Sequence, residues 1–166
     1  PFGHCSIQFH IKAPVFVARQ LVKHQIGLTW NEISRRYVDY DPEFYEVDKW
    51  RGRAEDKKQG SDEENTIEWV SRSQRTGALK QQVENVALKN YNTMLEAGVA
   101  PEQARMILPQ SMMTEWYWSG TLYAFARVCN LRCASDAQYE TRIVANLINI
   151  ECGKLFPISW TELRNT

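Results

Sequence analysis

A long apolar repeat between Leu79 and Leu95 is the feature that most constrains how this chain can fold. Apolar residues recur there every three or four positions, which is the spacing of one face of an α-helix. They are Leu79, Val83, Val86, Ala87, Tyr91, Met94 and Leu95, and Gly98 is placed to end the helix. A helix with one apolar face needs a second surface to pack against, so other segments must supply it.

Two other stretches have the period of a β-strand. The segment from His4 to Lys12 alternates apolar and polar residues, and SMMTEWYWSG alternates again with Met112, Trp116 and Trp118 toward one side. Further helices are predicted from Pro14 to Gly27 with Lys23 and His24 in the last turn, from Pro101 to about Ile107, near 120–130, and over 136–152 with Gly153 as its cap. The last helix is predicted to align Tyr139, Ile143, Val144, Leu147, Ile148 and Ile150. The fold class is therefore α/β of the α+β kind, with an antiparallel-containing sheet packed with several helices.

Length and charge favour a single domain over residues 1–166. The net charge of zero argues against a general nucleic-acid binder, and no apolar run is long enough to span a membrane. The chain opens at Pro1 directly on a predicted strand, so we expect an N-terminal portion to be missing. Residues 47–65 are highly charged and are predicted to form a mobile surface insertion.

Cysteine and histidine spacing excludes several common sites. Cys5, Cys129, Cys133 and Cys152 show no paired CxxC spacing, which favours reduced thiols in a cytoplasmic protein over a disulfide framework. The histidines lack cysteines at zinc-ligand spacing, so no metal site is predicted. GxGxxG, P-loop, HExxH and GxSxG motifs are also absent from the sequence.

Three arginines beside predicted turns are the residues most suited to an anionic ligand. Arg36 follows the motif NEIS, Arg105 precedes a Leu-Pro pair, and Arg132 lies in NLRCASDAQ between two predicted helices. A guanidinium fork fits phosphate or a carbonyl-rich base, although a single Arg more often forms a surface ion pair. Glu32 and Ser34 equally fit a helix cap. The residues alone therefore indicate an α/β domain with a candidate pocket for an anion.

Three segments in a fixed order resemble the flavin-dependent thymidylate synthases. They are FHIKAPVFVARQLVKHQIGLTWNEISRRYVDYDPEFY, ARMILPQSMMTEWYWS and NLRCASDAQYE. The family's signature is an Arg-His-Arg triplet followed by an Asn-Glu-x-Ser-x-Arg-Tyr run, and NEISRRY matches that run in full. The resemblance covers His4 to about Phe156 apart from the charged insertion, and it implies the fold of the thymidylate synthase complementing proteins.

The resemblance implies an enzyme, a FAD-dependent thymidylate synthase. In that family methylenetetrahydrofolate supplies a one-carbon unit to dUMP, NADPH reduces the flavin, and the product is dTMP. The resemblance further implies a cytoplasmic homotetramer with active sites at subunit interfaces, and partners limited to dUMP and folate. The family uses no cysteine nucleophile, because an arginine activates the uracil ring electrostatically.

The resemblance also assigns roles to individual residues. Arg132 takes the catalytic role of activating the base. The dUMP-binding set is Gln20, Glu32, Ser34, Arg36, Arg105 and Arg132. The FAD-binding set is His4, Lys23, His24, Gln25 and Asn31.

Departures from the family pattern concentrate on the flavin side. Residues 23–25 are Lys-His-Gln in place of Arg-His-Arg, so one guanidinium fork becomes an ammonium and one charge is lost. Asp136 stands where many members carry His, and Thr121 and Tyr123 stand where Asn and Arg are common. The residues matched to dUMP binding keep the family pattern. The alternatives are a divergent pyrimidine nucleotide hydroxymethylase on the same scaffold and a catalytically inactive nucleotide-binding homologue.

Overall fold

The computed structural model describes residues 2–37, 40–55 and 60–164. The strands are β1 (Ser6–Pro14), β2 (Leu28–Glu32), β3 (Arg51–Arg53), β4 (Ser61–Thr66), β5 (Trp69–Ser71), β6 (Gln74–Arg75) and β7 (Met113–Thr121). The α-helices are α1 (Val15–Leu21), α2 (Thr76–Glu96), α3 (Pro101–Ala104), α4 (Leu122–Arg132), α5 (Tyr139–Leu155) and α6 (Pro157–Arg164). Short 3-10 helices cover Arg35–Tyr37 and Arg105–Ile107.

The central sheet is antiparallel, with β7 between β1 and β2. Alternation along β7 turns Trp116 and Trp118 toward the helices, where they are 1% and 0% exposed, while Tyr117 on the opposite face is 51% exposed. Trp30 of β2 stacks on Trp116 with ring centroids 4.3 Å apart. The predicted strand and the direction of its tryptophans are therefore confirmed.

The hydrophobic core lies between this tryptophan face and four helices. Strand β1 adds Ile11 and Ala13 to this core. Helices α1, α4, α5 and α6 supply its other buried side chains, which are Val17, Ala18, Leu21, Leu122, Phe125, Ala126, Val128, Cys129, Ile148, Cys152, Trp160 and Leu163. The helices thus cover one face of an antiparallel sheet, as in other α+β domains. The α+β class is confirmed.

The first helix ends earlier than predicted. It stops at Leu21, and a backbone hydrogen bond from His24 N to Leu21 O closes a turn, so Lys23 and His24 lie beyond the helix. Gly27 does not end the helix. It has a φ of +75° and forms the turn that leads into β2. An added Cβ there would lie 3.1 Å from the Ala124 Cβ, so the turn packs tightly on α4.

The prediction for α5 was wrong in its C-terminal end and in its buried face. The helix continues through Gly153 to Leu155 and ends before Pro157, because the residue preceding a proline disfavours helical geometry. Its buried residues are Thr141, Ala145, Ile148 and Cys152, whereas Ile143, Leu147 and Ile150 are 41%, 60% and 50% exposed. The predicted apolar stripe therefore faces mainly away from the core of a single chain.

The segment predicted as a charged insertion contains a two-stranded ladder, β3 and β4. It contacts the body of the protein through Arg51, whose guanidinium pairs with Glu140 of α5; the two side chains are 13% and 11% exposed. Residues 56–59 lie outside the described part. Within that part, no helix is both long and apolar enough to cross a bilayer.

Candidate active site

A cavity of about 710 Å³ lies where β1 ends and β7 begins. Elements distant in sequence border it, including α1, β2 and the two 3-10 helices, because the antiparallel pairing brings their ends to one edge of the sheet. Its charged lining residues are Lys12, Arg19, Glu32, Arg35, Glu43, Glu102, Arg105 and Glu115. A volume of this size suits a nucleotide-sized ligand.

Several of these charges already have partners. Lys12 pairs with Glu43, and this hydrogen bond raises the pKa of Lys12. Arg35 donates to the Tyr40 carbonyl and lies 5.0 Å from that ring centroid. By contrast, the Arg19 side chain has no hydrogen-bond or ion-pair partner among the described residues. The cavity therefore offers a free guanidinium to an anion.

Glu32 is held in place by two neutral donors. The Thr114 hydroxyl donates to its Oε1 at 2.7 Å and the Trp30 indole donates to its Oε2 at 3.1 Å. In the lining of the same cavity, Arg105 Nε donates to the Glu102 carbonyl at 3.3 Å. A fixed carboxylate and a guanidinium thus line one cavity, and such a pair can bind both a ring N–H and a phosphate.

A second cavity of about 160 Å³ lies at the turn between α1 and β2. Its lining residues are Lys23, His24, Gln25, Ile26, Leu28, Ala124, Arg127, Val128 and Leu131. None of the described residues that line it is an aspartate or a glutamate. The cavity is therefore cationic, and it is large enough for part of a cofactor and not for a whole one.

His24 connects the second cavity to Arg132. Arg132 Nε donates to His24 Nε2 at 2.9 Å, so the imidazole must present an unprotonated nitrogen. Burial lowers the pKa of His24, and the charges of Arg132 and Arg127 lower it further. This hydrogen bond uses Nε of Arg132, so the two terminal amino groups of its guanidinium can donate to a ligand.

Gln20 has a buried oxygen without a donor. Its Nε2 donates to Gln138 Oε1 at 3.1 Å, while its Oε1 is inaccessible and unpartnered among the described residues. Gln138 Nε2 in turn lies 3.5 Å from Glu140 Oε2, which connects Gln20 to the Arg51–Glu140 ion pair. An unsatisfied buried acceptor is costly unless a ligand or another group satisfies it.

The structure brings some of the predicted site residues together and separates others. Glu32 and Arg105 share the first cavity, whereas the residues at 23–25 share the second. Gln20 and Arg132 are not among the described residues that line the first cavity. In one copy of the chain, the predicted dUMP set therefore falls into separate groups.

The remaining predicted residues line neither of these two cavities. The Ser34 hydroxyl accepts a hydrogen bond from Arg36 Nε at 3.0 Å. Arg36 belongs to the 3-10 helix that contacts α3, and its neighbour Arg35 lines the first cavity. His4 lies in an exposed turn before β1, and Asn31 is exposed on β2 opposite Tyr117.

Three arginines that were not predicted from the sequence also line these cavities: Arg19 and Arg35 in the first and Arg127 in the second. Arg19 stands one helical turn after Val15, which also lines the first cavity, so helical spacing could have indicated it. Arg127 follows Ala124 by three positions and precedes Leu131 by four, and this spacing puts it on their face of α4.

Together, the central antiparallel sheet, the helices on one of its faces and two cavities lined by cationic side chains define an α+β domain. The family model for the thymidylate synthase complementing protein matches residues 1–158. The chain therefore belongs to this family, as the sequence motifs predicted.

Individual relatives agree with this assignment. The chain is 39% identical over 160 residues to a flavin-dependent thymidylate synthase of Thermus thermophilus, covering 96% of this chain and 57% of the relative. It is 38% identical over 154 residues to one of Thermosipho africanus, covering 90% of this chain and 64% of the relative. The chain thus spans less than two thirds of the length of these curated relatives.

A solved structure has the same fold. The UMP/dUMP methylase PolB of Streptomyces cacaoi, bound with 5-Br dUMP, superposes with a TM-score of 0.79 at 26% identity, covering 97% of this chain and 71% of that one. The same protein bound with 5-Br UMP gives a TM-score of 0.79 and covers 99% of this chain and 76% of that one.

Proposed function

We propose that this chain acts as a flavin-dependent thymidylate synthase. It would transfer a one-carbon unit from methylenetetrahydrofolate to dUMP, with FAD and NADPH supplying the reduction that yields dTMP. The observation that carries the proposal is the first cavity, which brings Glu32 and Arg105 together from distant segments. Membership of the family supports the same reaction. The four free cysteines fit a cytoplasmic location.

In this proposal the first cavity binds the nucleotide. Arg105, helped by Arg19, binds the phosphate through guanidinium groups, which match phosphate oxygens in geometry and charge. Glu32, fixed by Thr114 and Trp30, accepts a hydrogen bond from a polar hydrogen of the nucleotide. Ser34 and Arg36 lie next to this cavity and extend the phosphate site.

Arg132 would activate the uracil ring in the same proposal. Its terminal guanidinium nitrogens would donate to a base carbonyl and stabilise the negative charge that develops there. The hydrogen bond to His24 fixes the orientation of the guanidinium before the substrate arrives. Such preorganisation is favourable because no group has to rotate as the charge develops.

The FAD site would include the second cavity. Its cationic lining without carboxylates suits the phosphates of a flavin nucleotide, and Lys23, His24 and Gln25 border it. When bound, the flavin supplies the reducing equivalents that complete the methyl group. His4 and Asn31 belong to the same proposed site.

The proposed active site is completed by a second copy of the chain, in a homotetramer. Gln20 and Arg132 do not line the cavity that contains Glu32 and Arg105, so one copy does not gather the whole set. Apolar side chains on α2 and α5 are also exposed in the single chain, with Val83 at 52% and Leu147 at 60%. Contact between copies would bury these faces and bring the two groups of residues together.

The test is release of tritium from [5-³H]dUMP by the purified protein with FAD, methylenetetrahydrofolate and NADPH. We expect tritium release together with a product that has the mass of dTMP. Bound oxidised flavin should also give the protein a visible absorbance. A product with the mass of hydroxymethyl-dUMP would support the alternative enzyme instead. If dUMP binds but no tritium is released, the synthase proposal is wrong.

UMP is a second candidate substrate. The observation that favours it is the similarity to PolB, a UMP/dUMP methylase that was solved with 5-Br UMP as well as 5-Br dUMP. Running the same assay with [5-³H]UMP separates the two. Release from dUMP alone would limit the activity to deoxyribonucleotides.

A further inference from the structure

Arg127 is a cation without an assigned purpose at the second cavity. It lines this cavity together with Lys23 and Gln25, although it belongs to α4 and they belong to the turn after α1. Its side chain has no hydrogen-bond or ion-pair partner among the described residues. The positive charge of Arg127 also acts on His24 and helps to lower the pKa of its imidazole.

We propose that Arg127 binds the diphosphate of the flavin nucleotide together with Lys23, which lines the same cavity from the turn after α1. This inference rests on the proposed flavin-dependent function. Two cations from separate elements can contact two neighbouring phosphoryl groups at once, and an arginine adds a bidentate fork that a lysine lacks. Arg127 thereby supplies the guanidinium that the segment Lys23-His24-Gln25 does not contain.

The cavity favours a diphosphate over other parts of the ligand. Its volume of about 160 Å³ is below that of a site for an entire drug-sized ligand, so it fits only a portion of a dinucleotide. Ala124, Val128 and Leu131 form an apolar wall beside the cations. A less polar wall strengthens the attraction between the cations and a phosphate.

The test compares three flavins by titrating the apoprotein and following flavin fluorescence. Riboflavin carries no phosphate, FMN carries one and FAD carries two. We expect Arg127→Gln to weaken FAD binding by about tenfold, the effect of losing one charge-assisted contact, and to leave riboflavin binding unchanged. Arg127→Lys should retain part of the FAD affinity, and added salt should narrow the difference between wild type and Arg127→Gln.

A second substitution tests the place of Arg127 in the cavity. Because Gln25 lines the same cavity, Gln25→Arg in the Arg127→Gln background should restore FAD affinity. Arg72→Gln is the matched control, since Arg72 is exposed on the β5–β6 hairpin and lines none of the cavities described above. We expect the control to bind FAD like the wild type.

The outcomes separate this inference from the function on which it rests. If the wild type binds FAD and Arg127→Gln binds it equally well, the role of Arg127 is wrong while the proposed function stands. Equal weakening of FAD and riboflavin would also overturn the role, because it would indicate a general loss of structure. Weaker dUMP binding with unchanged FAD binding would assign Arg127 to the substrate instead. A wild type that binds no flavin would overturn both proposals.

Discussion

Breaking the ion pair between Arg51 and Glu140 should destabilise the protein, because the two side chains are only 13% and 11% exposed. Arg51 also donates to the Ser61 hydroxyl at 2.8 Å, and its guanidinium lies 4.1 Å from the Tyr139 ring centroid. The pair therefore connects the β3–β4 ladder to α5. Through Gln138 it also reaches Gln20, a proposed substrate ligand.

The expected magnitude follows from this burial. Removing one partner of a buried pair typically costs about 3–5 kcal/mol, because the other charge remains buried and unpaired. In Glu140→Gln the guanidinium keeps its contacts with Ser61 and Tyr139, so we expect a smaller loss of about 2 kcal/mol. Arg51→Met removes those contacts as well and should cost about 3 kcal/mol. The double variant should lose about 2 kcal/mol less than the sum, since neither charge is then left alone.

Equilibrium urea unfolding at one protein concentration, followed by tryptophan fluorescence, measures this coupling through a double-mutant cycle. The control cycle uses Lys154 and Glu151, whose side chains are 64% and 50% exposed, and its coupling should stay below about 0.5 kcal/mol. If the Arg51–Glu140 coupling is no larger than this control, burial does not make the pair structurally important.

Two further predictions concern the pair formed by His24 and Arg132. Arg132→Ala should retain most of the dUMP affinity and lose about 100-fold or more in kcat, since the residue acts on charge that develops during reaction; normal turnover would contradict its catalytic role. The imidazole of His24 should titrate below its ordinary value of 6.5, because burial and the neighbouring cations Arg132 and Arg127 disfavour its charged form. Protonation at low pH should therefore break the hydrogen bond to Arg132. NMR titration of the ring measures the pKa of His24, which should rise in Arg132→Ala. An unchanged pKa in that variant would show that Arg132 does not lower the pKa of His24.

The sequence predicted features that depend on local patterning. The alternation around Trp116 and Trp118 specified β7 and its buried face, because strand residues on one face must all meet the same neighbour. The repeat from Leu79 to Leu95 located α2, and Gly98 marked its end through a positive φ of +84°. Ordered motifs also identified the family, since they constrain residue types over almost the whole chain.

Other features could not be predicted because they depend on contacts between distant segments. The apolar stripe on α5 that contains Leu147 and Ile150 is exposed in one copy, and a sequence pattern does not distinguish packing inside a chain from packing between chains. The end of α1 at Leu21 depends on a turn that packs on α4, whereas the sequence pattern alone offers Gly27 as the stop signal. The approach of Arg127 to Lys23 is likewise a result of tertiary packing.

The central claim is that residues from two copies of the chain complete one nucleotide site. Mixing Arg105→Gln protein with Arg132→Ala protein, under conditions that let subunits exchange, tests it most directly. If each site takes Arg105 from one copy and Arg132 from another, about a quarter of the sites in an equal random mixture regain both arginines, and tritium release should recover accordingly. A mixture in which exchange is demonstrated but activity stays at the level of the separate variants would contradict the claim.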